Sequence, residues 1–278
     1  LTCFLADSLT RDGIFECLRR RHHYGTTGTR LFLDVRAELA AGGKCYHDDP
    51  NVFPDAGFDT VSRAMMGDIV QTDDDKVTLS LEVAAQAPIE RVEIRNGMEV
   101  LKTVRPFAEA DLGERIRVIW SGAEYRGRGR ESSWKGRARF NGAVVKHMAK
   151  INAWNHERLL ETQGSDMVVF DAITTGNFGG FDAWIDPKQP GDLEVTTNHG
   201  TLHAKLSDIG IEDVVMEAGG LERKLRAFRL PEENPHRSLS TELEITLKPE
   251  GDNPLWVCVT TEDGFQAWSS PVYVFNKA

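Results

Sequence analysis

The feature that most constrains this chain is an alternation of apolar and polar side chains that returns, from Lys76 to near the C-terminus, at intervals of roughly 8 to 15 residues. Val77, Leu79, Leu81 and Val83 alternate with Thr78, Ser80 and Glu82. A period of two places one set of side chains on one face of a strand, so these segments must pair into sheets that bury that face. Val92 and Ile94 alternate in the same way with Arg91, Glu93 and Arg95. Asn96-Gly97 then supplies the dipeptide that best supports a tight hairpin, and the chain returns through Val100. Further strands are expected through Ile116, Val118 and Trp120, through Leu243, Ile245 and Leu247, and through Leu255, Val257 and Val259. Asp263-Gly264 turns the last of these back through Trp268 to Phe275, and Pro271, lacking an amide donor, requires an edge or a bulge there.

The strands before Gly122 are too few to close two sheets, and those after Ser238 cannot stand alone. Together they reach about the seven strands of an immunoglobulin-like sandwich. The expected fold is therefore mainly β: a discontinuous sandwich over 68–122 and 238–276, interrupted by an inserted β module at 123–237. The module has its own hairpin signal at Asn141-Gly142 and strands near 166–174, 181–186, 193–197, 201–206 and 213–217. Residues 38–67, with Gly42-Gly43, Pro50, Pro54 and Gly57, read as a long loop. Residues 1–37 differ from the rest. Leu1 to Leu5 is a short apolar run, Thr10 is a candidate N-cap, and Ile14, Phe15, Leu18 and Cys17 form one helical face. Arg19, Arg20 and Arg21 occupy the last turn, Gly25 and Gly28 end the element, and Leu31, Leu33 and Val35 start a strand. Strand, helix, strand in this span predicts a βαβ unit, the building block of parallel sheets and barrels.

At these residues the sequence resembles a known family. LTCFLADSLTRDGIFECLRRRHHYGTTG resembles the closing segment of a PHP-type domain, from the polymerase-and-histidinol-phosphatase superfamily of metal-dependent phosphoesterases. GAEYRGRGRESSWKG, TTGNFGGFDAWI, EAGGLERK and VTTEDGFQAWSSPVYVF resemble the β-rich tail of a functionally uncharacterised branch of it, so the resemblance spans nearly the whole chain. It implies that 1–37 is the remnant of a PHP barrel. It also implies that divalent metals, Zn or Mn, are held by an early His-x-His, further His and Glu ligands and a late Asp-x-His, all upstream of the matched segment. Neither motif occurs in this sequence. The expectation is a C-terminal accessory, structural β region of a phosphoesterase, a hydrolase, that is not catalytic by itself and whose partner is the missing N-terminal PHP segment. No catalytic or metal-binding residue is assigned within the chain. In a barrel the loop after a strand faces the active site, which makes Asp7, Thr10 and Arg11 candidates for the rim of that missing site. Ser8 stands where the family usually has an acidic residue. The competing reading is that Thr10 caps the helix and Arg11 is a solvated first-turn residue.

The formal net charge of −10 opposes nucleic acid as a partner. No stretch approaches the ~18 apolar residues of a spanning helix, so no membrane partner is expected. Cys3, Cys17, Cys45 and Cys258 show no CxxC spacing and read as buried thiols. Against the acidic background, Arg126, Arg128, Arg130, Lys135, Arg137 and Arg139 concentrate positive charge. In a strand, Lys135, Arg137 and Arg139 share the face opposite Trp134, Ala138 and Phe140, a candidate anion-binding surface unless it is merely solvated or paired with carboxylates. His199 and His203 flank a strand–turn–strand, where residues four apart need not converge on a metal. The six tryptophans are mostly core candidates, and an exposed one beside the arginines would support the alternative function, a carbohydrate- or anion-binding module.

Overall fold

The computed structural model describes residues 1–276. The protein is mainly β, with one α-helix, Arg11–Arg19, and two short 3-10 turns among the described residues. It divides into two compact units: Leu1–Pro106 together with the stretch from Pro235 onward, and Phe107–Asn234. The boundary expected between 122 and 123 thus moves to 106 and 107. Strand Arg115–Ala123, which carries Ile116, Val118 and Trp120, pairs with Phe178–Pro187 and Leu221–Leu230, both in the second unit.

The first unit holds a twelve-stranded sheet. Strand Lys76–Ala85 lies between Leu31–Tyr46 and Ser238–Thr246, and strand Asn253–Thr261 pairs with Ile89–Asn96. The alternation sets the burial: Val77, Leu79, Leu81 and Val83 are sealed in the core, as are Leu31, Leu33 and Val35. The strand expected from Trp268 to Phe275 is interrupted at Pro271, where Gln266–Ser269 ends and Val272–Asn276 begins. The Pro271 carbonyl instead accepts the Gly67 amide at 2.9 Å.

Two expectations for this unit are corrected. Residues 38–67 are not one long loop, because Leu31–Tyr46 runs on past Gly42-Gly43 and pairs with a further strand, Phe58–Met65. The glycines mark an irregularity in that pairing, between Glu38 and Gly43, rather than its end. Nor do residues 1–37 form a parallel βαβ unit. Thr2–Phe4 pairs antiparallel with His23–Thr26, which pairs antiparallel with Gln266–Ser269. Arg21 adopts a left-handed φ of 61°, so the chain reverses directly after the helix, and Gly25 lies inside the returning strand. Gly67 is pressed against this reversal. Its φ is +100°, and a Cβ there would meet Arg20 O at 2.4 Å, so only glycine fits.

The helix also divides its apolar residues. Cys17 is buried and Ile14 half-buried, but Phe15 and Leu18 are 55% and 47% exposed, so the single apolar face expected from the sequence is two faces with one uncovered.

The second unit consists of two five-stranded antiparallel sheets whose inner residues make one core. One sheet contributes Trp134, Phe140 and Phe170, the other Trp120 and Phe181. Trp120 stacks on Phe170 across the gap, with ring centroids 4.5 Å apart and an interplanar angle of 17°. Asn141-Gly142 is not a hairpin. Ser132–Phe140 and Ala143–Ile151, on either side of it, belong to different sheets. The amides flanking the dipeptide bond outside it, Phe140 N–H to Asp166 O and Val145 N–H to Ser165 O, so the turn carries the chain from one sheet to the other.

Candidate functional site

At the N-terminal segment, Thr10 accepts the Gly13 amide through Oγ1 at 3.1 Å and caps the helix, and Arg11 is an exposed first-turn residue. Asp7 is exposed, and its charge, after burial itself and ahead of Glu16, helps push the Cys17 thiol above its ordinary value. Among the described residues no three His, Cys, Asp or Glu side chains converge to hold a metal ion, so no metal-dependent step is derived through this chain.

The strand Ser132–Phe140 presents Lys135, Arg137 and Arg139 to solvent and buries Trp134, Ala138 and Phe140. In register, Lys135 lies opposite Asp171 and Arg139 opposite Glu194, and Lys135 Nζ is 3.5 Å from the Asp171 carboxylate. Arg126, Arg128 and Arg130 lie apart from them, in the exposed loop before the strand. His199 and His203 also separate: His199 Nε2 is 2.8 Å from Ser133 O with its ring edge-on to Trp134, while His203 pairs with Asp192 at 3.0 Å.

Three polar clusters are buried or half-buried, none with catalytic geometry. Asp182 bonds Arg117 Nε at 2.7 Å and Arg115 Nε at 3.0 Å, and the Arg115 guanidinium lies 4.8 Å from the Trp184 ring centroid. Arg117 is wholly buried, so this cluster is a structural ion pair shielded from substrate. In the first unit, Glu90 accepts Arg91 Nε at 2.6 Å with Arg105 3.6 Å away. The third cluster is His22 Nε2, 2.7 Å from Asp68, beside Cys45. Burial, and then Asp68, push the Cys45 thiol up to about 12. A nucleophilic cysteine needs the opposite shift.

One concavity with mixed chemistry lies in the second unit, a cleft of about 130 Å³ beneath the loop that joins Ala143–Ile151 to Leu160–Gln163. Its inner end is formed by Trp120, Leu160 and Gly179, all buried. Trp154 lines its mouth and is 67% exposed. Arg158 bonds Asp171 across the rim at 3.0 Å, and Asn152, with φ 51°, donates from Nδ2 to Phe178 O at 3.1 Å, which fixes the start of the loop. Asn155 Oδ1 accepts the Glu157 amide at 2.9 Å.

Of these cleft residues only Trp120 and Trp154 stand among the tryptophans weighed from the sequence, and Trp120 reads there as core. The signal present is local: Trp154 sits in INAWNHER, outside any alternation, among residues that favour turns. Trp134, by contrast, is fully buried, and Trp184 is covered by Arg115. No family model, curated protein or solved structure matches the chain.

Proposed function

We propose that this chain is the accessory β region of a PHP-type, metal-dependent phosphoesterase, with an immunoglobulin-like sandwich in its first unit, and that it is a docking scaffold rather than the catalytic centre. The observation that carries this reading is the uncovered side of the helix: Phe15 and Leu18, with Leu9 94% exposed just before them. They lie on the segment whose sequence resembles the close of a PHP domain, beside strand Thr2–Phe4 at the end of its sheet. Exposed apolar residues clustered on one short element favour a protein partner. The partner in this reading is the upstream PHP segment, which would supply the metal ligands and the Zn- or Mn-activated water that attacks a phosphoester. Asp7 and Arg11 would then stand at the edge of that segment's site.

Sequencing upstream of the Leu1 codon tests the reading. An in-frame His-x-His pair supports it, and an initiator codon at that position ends it. Independently, p-nitrophenyl phosphate with added Mn²⁺ or Zn²⁺ should not be turned over by this chain alone. Robust turnover that survives further purification would move the chemistry into the chain and overturn the scaffold role.

A further inference from the structure

We infer that the Trp154 cleft is a binding site for a neutral saccharide, sized for one pyranose ring. The inner end of the cleft supplies the first reason. Trp120 is 2% exposed, yet its indole N–H meets no acceptor among the described residues, and the nitrogen is not sealed from solvent. Trp134 Nε1, by contrast, donates to Thr174 Oγ1 at 3.0 Å and Trp256 Nε1 to Gly97 O at 2.8 Å. A donor that opens only into the cleft can exchange a water for a ligand oxygen without losing a hydrogen bond, so an oxygen entering the cleft is accepted there. Gly179 keeps that donor reachable. A Cβ at this position would lie 3.1 Å from Trp120 Nε1, between the nitrogen and any ligand.

The mouth supplies the second reason. Trp154 offers an exposed aromatic ring, the surface on which the C–H face of a sugar ring packs. Around it, Arg158 and Asp171 provide donors and acceptors in an ion pair, with Lys135 Nζ 3.5 Å from the same carboxylate. A hydroxylated ring uses both kinds of group along its edge. An anion would face Asp171, an apolar ligand would leave the Trp120 donor unsatisfied, and a nucleic acid would be repelled by the chain's net charge of −10. The volume of about 130 Å³ falls below that of drug-sized sites and suits one ring with its neighbours outside. Saccharide binding here would neither need nor exclude a phosphoesterase segment upstream.

The test is affinity gel electrophoresis of the whole chain through xylan, galactomannan or mixed-linkage β-glucan, with heparin as the anionic comparison. At least one neutral polysaccharide should retard the protein. Trp154→Ala should weaken that binding about tenfold or more, Trp154→Phe should restore part of it, and Gly179→Ala should weaken it by covering the Trp120 donor. Trp154 is exposed, so its variants should keep the thermal midpoint of the parent, which separates loss of binding from loss of fold. In ¹H–¹⁵N spectra the Trp120 indole resonance, identified by its loss in Trp120→Phe, should move on addition of methyl xyloside, mannoside or glucoside. No retardation by any neutral polysaccharide, retardation by heparin alone, or binding that Trp154→Ala leaves intact would each overturn the assignment.

Discussion

The two units bury different kinds of core. In the first, the buried cluster is almost wholly Val, Leu and Ile, with Tyr24 its one aromatic ring among the described residues. In the second, Trp120, Trp134, Phe140, Phe170 and Phe181 fill the space between two facing sheets. Branched aliphatic side chains interdigitate closely on a pleated surface and leave little unfilled. Large planar rings fill a gap between sheets with fewer side chains, but where the neighbouring residue is as small as Gly179, the edge of a ring reaches the surface. Trp120 shows this: stacked on Phe170 inside, it borders the cleft with its nitrogen. The aromatic core thus creates the candidate site, and the aliphatic core supports a helix whose outer side stays uncovered.

Both units also bury charge, and the largest expected effect lies there. Asp182→Ala would leave Arg115 and the wholly buried Arg117 without their shared carboxylate, and should cost about 3–5 kcal/mol in urea unfolding. A cost below ~1 kcal/mol would mean that water or another acceptor replaces it. Next, Leu79→Ala in the aliphatic core should cost about 2–5 kcal/mol, since its site is fully buried between paired strands. Phe170→Leu in the aromatic core keeps bulk but removes the stack on Trp120, and should cost nearer ~1 kcal/mol. Reversal of that order would sink the contrast between the cores.

Thr10→Ala removes the cap of an exposed helix and should cost about 1 kcal/mol or less, while leaving both cores intact. The last expected effect is nil at neutral pH and appears only in alkali. Burial pushes the thiols of Cys45 and Cys258 up to about 12 from an ordinary value of 9.0. The folded state therefore holds these protons more tightly than the unfolded state. The resulting stability is fully present below pH 9.0 and is lost as pH rises toward 12. Iodoacetamide at pH 8 should spare both thiols in the folded protein and modify them in urea, and rapid labelling of either in the folded state would contradict the burial.

Much of the β-structure was legible in the alternation itself. Val77 to Val83 and Leu255 to Val259 lie in strands and point inward where the pattern requires, and Asn96-Gly97 does turn a hairpin. Asn141-Gly142 carries the same signal and joins two sheets instead, because a turn dipeptide states how the backbone bends and not which strand it will meet. The helix cap at Thr10 was readable from local chemistry. The strand His23–Thr26 was not, since its residues show no apolar alternation and its partners include Gln266–Ser269, far along the chain.

The sequence by itself determined that this chain would be mostly sheet, which side chains of most strands would face inward, and where its helix would begin. These follow from the period of two and from contacts only a few residues long. Tertiary structure alone decided that Arg115–Ala123 belongs with the second unit, that Phe15 and Leu18 stay uncovered, and that Trp154 stands over a cleft with the Trp120 donor at its inner end. Each depends on which distant strand supplies the neighbour, and no local pattern of polarity carries that choice.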